Sequence, residues 1–358
     1  MERIRLDNLT KIYHRLPVVS NLCLSVRAGE FCVILGPSGS GKSTVMNMIG
    51  GFTPPTSGEI YVDGQPTTGL APHARELGMM FQGYALFPHL TVQENVAFPL
   101  RARGMASREV RTRVAGALEI VELQDFAQRL PSELSGGQQQ RTALARALVF
   151  GPRLLLMDEP LAALDRLLRE RMQTEIKAIQ RKLAITVLYI THDQQEAMML
   201  ADVLVVMNAG RAEQIGPPLD VYHRPRTRFV CEFLGDSNIL DVTVEAVQAG
   251  TALCRTRSGA GITIDVTKPI AVGETIALAV RPENLRIATA GSNERNQIVG
   301  RITDVLDLGS SRRYCIETQG EARPLQMREQ GRQDASACKI GDAVILTFDS
   351  ANAFVVAG

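Results

Sequence analysis

The sequence predicts an α/β domain followed by a small all-β domain, and three features point there. Short apolar runs alternate with amphipathic segments through the first two-thirds of the chain, the pattern of α/β layers. A glycine-rich stretch joins one such run to a helical pattern. Beyond Gly235-Asp236 the chain changes to short β-type segments separated by Gly, Ser, Asn and Pro.

Phe31–Leu35 is a short buried strand that ends at Gly36-Pro37, and Val45–Ile49 continues as a helix closed by Gly50-Gly51. Ile60–Val62 reads as a strand entering a tight turn at Asp63-Gly64. From about Pro88 to Phe150 the spacing is helical. Ser107 is placed there as an N-cap ahead of a stripe of Val110, Val114, Leu118 and Val121. Leu154–Met157 is apolar throughout, as in a central strand buried on both faces. Leu167–Leu183 reads as an amphipathic helix, Ile185–Ile190 as a β-branched buried strand, and Val203–Met207 as a strand before the turn Asn208-Ala209-Gly210. The second domain should contain strands at Ile239–Val244, Gly261–Val266, Thr275–Val280, Ile298–Leu306, Arg313–Thr318 and Ala343–Phe348, a barrel or sandwich. The boundary falls within Phe233–Ser237, giving domains 1–235 and 236–358.

At about 150 residues per domain, 358 residues also suggest two domains. Charged residues at 22% and apolar ones at 45% exclude a disordered or collagen-like chain. The charge balance, 39 − 38 = +1, gives no global field for nucleic acid, and no nucleic-acid partner is expected. No apolar run approaches the ~20 residues of a membrane span. Charges occupy the start, Met1–Asp7, where a signal peptide carries its apolar core, so a cytosolic location is expected. The six cysteines are widely spaced, with no C-x-x-C pair, and read as neutral thiols in a reducing compartment.

Chemistry concentrates in a few places. Gly36-Pro37-Ser38-Gly39-Ser40-Gly41-Lys42-Ser43-Thr44 fits G-x-x-x-x-G-K-[ST] between a strand and a helix. Its glycines let backbone N–H groups wrap a polyphosphate at a helix N-terminus. Lys42 would reach the β- and γ-phosphates, and the Ser43 hydroxyl would bind Mg²⁺. Asp158 and Glu159 end the apolar run in adjacent positions and, pointing to opposite sides, can hold different roles. Asp158 suits the Mg²⁺ environment and Glu159 suits a general base for water. His192 follows another buried strand, where open α/β sheets collect ligands. Gln82 follows a third strand-like run, and its amide could coordinate Mg²⁺ or the attacking water. Each feature alone has an ordinary alternative: a ligand-free turn, a solvated acidic strand end, an exposed histidine, a common glutamine.

Leu134-Ser135-Gly136-Gly137-Gln138-Gln139-Gln140-Arg141 opens a further helix with Ser135 as its cap. It is a second anion-ready backbone, and one nucleotide does not need two. Taken together, the loop at 36–44, Gln82, Leu134–Gln138, Leu156–Pro160, Asp165 and His192 resemble, in order, the nucleotide-binding subunit of an ATP-binding-cassette (ABC) transporter. The resemblance implies a P-loop NTPase core with a helical subdomain at about 88–150. It implies a head-to-tail homodimer around two ATP·Mg²⁺, in which Ser135, Gly136, Gly137 and Gln138 of one protomer close on the γ-phosphate held at Lys42 of the other. It makes Tyr13 the aromatic on adenine, Asp165 an acid at the dimer seam, and Gln82 the start of a groove for the membrane subunit. Gln82–Val92 is similar to bacterial importer ATPases, and Arg281-Pro282-Glu283-Asn284-Leu285 resembles their oligonucleotide-binding-like regulatory domain, called TOBE. Phe229–Gly235 and Asn238 look like the junction of spermidine/putrescine-type, iron-type and related importers. The sequence departs from the pattern at Gly83, and at Ala162 and Ala163, where a seam serine is usual.

The resemblance implies permease partners, an indirect solute-binding-protein partner and a peripheral place on the cytoplasmic face of the cell (inner) membrane. The cargo could be polyamine-like, iron, phosphonate or related. A soluble cassette ATPase and a phosphate-loop kinase are the alternatives; the first usually carries two cassettes or a coiled coil, and the second has no use for Leu134–Gln138. Lys42→Ala is expected to weaken ATP binding, and a calorimetric titration giving unchanged affinity would count against the loop assignment.

Overall fold

The structure, a computed structural model, describes residues 1–248, 250–266, 269–288, 295–321, 323–331 and 338–357. It divides into two compact units, Met1–Leu219 and Asp220–Gly358. The boundary read from the sequence lies further along, near Gly235.

In the first unit the strands are β1 (Glu2–Tyr13), β2 (Leu16–Arg27), β3 (Phe31–Leu35), β4 (Ser57–Val62), β5 (Gln65–Pro66), β6 (Gly78–Met80), β7 (Leu154–Asp158), β8 (Thr186–Thr191), β9 (Val203–Asn208) and β10 (Arg211–Gly216). The helices are α1 (Lys42–Gly50), α2 (Val92–Ala102), α3 (Ser107–Ile120), α4 (Gly136–Leu148), α5 (Arg166–Leu183) and α6 (Gln194–Leu200), with α7 (Pro218–His223) at the unit's end. One sheet runs β10-β9-β3-β8-β7-β6 and is parallel except at β10; a second runs β2-β1-β4-β5 and is antiparallel. Every residue of β3 and β8 is buried, which suits a parallel ladder covered on both faces. The core packs Ile4, Leu6, Leu24 and Ile60 of the antiparallel sheet with Val45, Met46 and Ile49 of α1 and Ile34, Leu156 and Ile190 of the parallel one.

Helix α1 starts at Gly41 without a side-chain cap and ends at Gly51 in the left-handed region, φ +81°. It has no acidic residue in its first turn and no basic one in its last. Arg75, buried, supplies the cation from outside. It donates to the carbonyls of Met48 (2.7 Å) and Ile49 (2.8 Å) at the helix's negative end, and to Leu70 and Thr68 (both 3.0 Å).

The sequence-read helix with Ser107 as its cap begins one residue earlier. Ala106 is the extended residue whose carbonyl accepts from Val110 N–H, so Ser107 is already helical and caps nothing. The caps of α2 and α4 are full capping boxes, Thr91 with Glu94 and Ser135 with Gln138.

The second unit begins at Asp220 within α7, continues through α8 (Arg228–Phe233) and is built mainly of β-strands from there on. Its strands are β11 (Asn238–Gln248), β12 (Thr251–Thr256), β13 (Gly261–Asp265), β14 (Thr275–Val280), β15 (Arg286–Ile287), β16 (Ile298–Asp307), β17 (Ser311–Thr318), β18 (Leu325–Gln330), β19 (Ala343–Thr347) and β20 (Ala353–Val356). They form two five-stranded sheets, β13-β12-β11-β14-β20 and β15-β19-β16-β17-β18. The six strands read from the sequence are β11, β13, β14, β16, β17 and β19. One core joins Leu240, Val242, Ile264 and Leu278 of the first sheet to Ile302, Tyr314, Ile316 and Leu346 of the second.

Arg281 is 1% exposed. Its guanidinium donates to the carbonyls of Cys231 (3.0 Å), Gly235 (3.1 Å) and Tyr222 (3.0 Å) and to Ser237 Oγ (2.6 Å), and lies 4.1 Å over the Tyr222 ring. It therefore fastens residues 222–237 to the β unit. Arg281→Ala leaves those acceptors buried and unpaired, so the unit should lose about 3 kcal/mol of stability. Urea unfolding of the full chain checks this; an unshifted midpoint for the β unit would refute the role.

Candidate nucleotide site

The parallel strands end along one edge of their sheet, and the chemistry gathers there. Register pairs Leu35 with Thr191, Asp158 with Ile190 and Met80 with Met157. The residues that follow, the 36–44 loop, His192, Glu159 and Gln82, leave at the same level.

The loop needs its glycines. A Cβ at Gly36 would collide with the Met207 carbonyl oxygen and Ser40 Oγ, and one at Gly41, φ +98°, would sit 2.6 Å from the Val18 carbonyl oxygen. Gly39 is also left-handed, at φ +79°. Lys42 is 6% exposed, and its Nζ donates to the carbonyls of Gly36 (2.8 Å) and Pro37 (2.9 Å) across the loop. Burial pulls the Lys42 pKa down, while Glu159 and Asp158 raise it. The Ser40 hydroxyl is buried with no partner among the described residues, a polar atom a phosphate oxygen would satisfy.

Asp158 is bonded to the Ser43 side chain. Burial and the neighbouring Glu159 charge push its pKa up, and the Ser43 hydrogen bond and Lys42 pull it down. The two oxygens are the hard donors Mg²⁺ prefers, with phosphates and waters to complete the shell.

Glu159 occupies the left-handed region, φ +45°, and its N–H is fixed to the Ile190 carbonyl at 3.1 Å. One carboxylate oxygen lies 3.2 Å from His192 Nδ1, and the other accepts from the Gln82 amide at 3.5 Å. The structure thus brings together three side chains from three loops. Asp193 caps α6 with its carboxylate, accepting from Gln195 and Glu196 N–H groups, which anchors the residue beside His192.

Ser135–Gln138 is elsewhere in the unit. Gly136 and Gly137 face Leu164 and Leu168, where a Cβ would sit 3.4 and 3.2 Å from the nearest side-chain atoms. Ser135 and Gln138 bond to each other in the capping box, and among the described residues they form no hydrogen bond with the 36–44 loop. Asp165 caps α5, accepting from Leu168 N–H at 3.0 Å. Tyr13 ends β1 on the surface, 41% exposed, with Lys11 Nζ 4.8 Å over its ring.

Sequence reasoning missed several positioning residues. Arg75 is one. Asn95 of α2, wholly buried, accepts from Phe87 N–H at 2.8 Å and donates to the carbonyls of Phe87, Leu90 and Thr91, so it shapes the segment after Gln82. Arg146 of α4 holds the same segment nearer Gln82, through the Tyr84 and Ala85 carbonyls. The one local signal was a cation inside the apolar run Leu144-Ala145-Arg146-Ala147-Leu148.

Comparison with known proteins identifies the family. Residues 19–162 match the ABC transporter family model, and residues 278–356 match the TOBE domain. The chain is 44% identical to the spermidine/putrescine import ATP-binding protein PotA of Rubrobacter xylanophilus, over 99% of this chain and 94% of that protein. It is 42% identical to the protein of the same name from Pseudomonas aeruginosa, over 95% of each. Among solved structures it is similar to the dimeric post-hydrolysis state of the ATP-binding cassette MJ0796 bound to ADP and Pi. That match has a TM-score of 0.54 and 36% identity, covering 60% of this chain and 98% of that one. The resemblance read from 36–44, Leu134–Gln138 and Arg281–Leu285 is borne out: the chain belongs to the ABC transporter family, among the import ATP-binding proteins that carry a C-terminal TOBE domain.

Proposed function

We propose that the protein hydrolyses ATP as a head-to-tail homodimer and thereby drives import of a polyamine through separate permease subunits. It would work peripherally at the cytoplasmic face of the membrane, with a solute-binding protein delivering the cargo. The observation that carries the reading is the meeting of Glu159, His192 and Gln82 beside the Ser43–Asp158 pair and Lys42. The polyamine assignment rests on relatives named for spermidine/putrescine import.

The 36–44 backbone cradles the β- and γ-phosphates, and Lys42 exchanges two neutral carbonyls for charged phosphate oxygens, a stronger hydrogen-bonding partner. Ser43 and Asp158 would hold Mg²⁺, with the Gln82 amide oxygen as a further donor, and the bound ion would supply charge neutralisation at the phosphate oxygens. Glu159 accepts a proton from the attacking water, and His192 steadies the carboxylate and the γ-phosphate side of the pocket. Tyr13 stacks on adenine. The partner's Ser135, Gly136, Gly137 and Gln138 complete the phosphate contacts, and Asp165 lies at the seam. Only the closed pair makes both sets of contacts, so nucleotide binding shifts the population toward closure.

Glu159→Gln should bind ATP, lose turnover by about 100-fold or more, and accumulate as a dimer in size-exclusion chromatography. Wild-type hydrolysis by that variant would remove Glu159 from its role.

Asp158→Asn separates stability from function. The Asp158 pKa is raised in the fold, so its ionised form costs stability above that pKa, and the cost disappears as pH falls through it. Without nucleotide or Mg²⁺, the variant should melt about 2 °C higher near pH 7.5, with the gain vanishing in acid, while Mg²⁺-dependent ATPase activity is lost. Melting curves that coincide at every pH would contradict the assignment.

A further inference from the structure

The segment carrying Gln82 leaves the sheet after β6 and joins the helical layer at α2. It is held in the middle from α4, the helix that begins just after Ser135. The two terminal nitrogens of Arg146 donate to the carbonyls of Tyr84 and Ala85, each at 2.7 Å. The guanidinium also lies 5.7 Å from the Phe87 ring centroid. Burial pulls the Arg146 pKa down. Among the described residues it makes no ion pair, so its charge is spent on those two carbonyls.

The backbone it holds is strained. Tyr84 and Ala85 are both left-handed, at φ +57° and +48°, although neither is glycine. In that region Cβ crowds the following carbonyl, so two consecutive left-handed residues that are not glycine carry a conformational cost, which the two Arg146 hydrogen bonds offset here. Tyr84 is itself 8% exposed, which fixes the turn two residues from Gln82. Gln82 in turn reaches Glu159.

We propose that Arg146 is a positioning residue for hydrolysis. By clamping the Tyr84 and Ala85 carbonyls in the left-handed turn it sets Gln82 against Glu159. It also ties Gln82 to the helix whose other end carries Ser135–Gln138. Ser135 and Arg146 are joined by continuous helix, a rigid arm of about 16 Å at 1.5 Å per residue. A shift of the Ser135 end on meeting a partner's nucleotide therefore reaches Gln82 through one side chain. The inference rests on the reading that Glu159 orients the attacking water.

The test uses the full-length chain at saturating ATP and Mg²⁺. Arg146→Met keeps the packed stem and removes both donors. Its kcat should fall by about 10- to 100-fold, the effect of a misplaced catalytic neighbour, with the Kd for ATP within about twofold of wild type. Adding Ala85→Gly makes the left-handed turn cheaper and should restore about fivefold of the lost kcat. A mere packing role for Arg146 on α4 would not respond to a glycine at position 85. Wild-type kcat in Arg146→Met overturns the proposal, as does a folded double variant with no recovery. If Arg146→Met does not fold, Arg146→Lys decides: one ammonium in place of the fork should give a partial loss of kcat at unchanged Kd, and wild-type kcat overturns the proposal. Glu159→Gln is assayed alongside. If it keeps turnover, the site reading itself has failed; if it loses turnover while Arg146→Met does not, only the clamp has failed.

Discussion

Parallel pairing of β3, β7 and β8 is the constraint from which the site follows. Their ladder sets Leu35 beside Thr191 and Asp158 beside Ile190, so three chemically distinct loops begin at one level. Slippage by one residue would exchange the faces of Asp158 and its neighbours and separate the carboxylate from Ser43. Slippage is opposed by burial, since Cys32, Val33 and Ile34 are wholly enclosed and any shift would expose or crush them. The same burial raises the Cys32 thiol pKa far above its usual range, so it stays neutral beside the phosphate loop.

Electrostatics then divides the two adjacent acids. Asp158 remains close to the strand, where burial and the Glu159 charge make ionisation costly and Ser43 and Lys42 make it cheaper. Glu159 leaves the strand through a left-handed residue and turns to His192 and Gln82. One acid thus faces the Ser43 hydroxyl and the other an imidazole and an amide, though they are neighbours in sequence. Lys42 responds to both: burial lowers its pKa and the two carboxylates raise it.

Features whose chemistry needs consecutive residues were legible in the sequence: the 36–44 loop, the acid pair and the Ser135 cap. The long strands β1 and β2 were not, because register shifts near Ile4, Leu9 and Lys11 interrupt the strict alternation by which a strand is read. β20 has four residues, β18 turns only Leu325 and Met327 fully inward and is otherwise polar, and β12 turns only small or few apolar groups inward, among them Ala252 and Cys254. The Ser107 cap failed by one residue because either of two neighbouring positions could start the helix, and an extended Ala106 did. The roles of Arg75, Asn95 and Arg146 were hidden for a different reason. Each acts on backbone carbonyls, which have no residue identity, and for Arg75 and Arg146 those carbonyls lie as far as 27 and 62 positions away.

Arg75 balances α1 from a stretch that never touches the phosphate loop in sequence. Gly51 makes room for it, since a Cβ there would lie 2.7 Å from Arg75 Nε. The two positions are one module in different segments. Anyone grafting the β5–β6 connection between homologous cassettes would have to transplant both, or α1 would lose the cation at its C-terminal end while every motif residue remained intact.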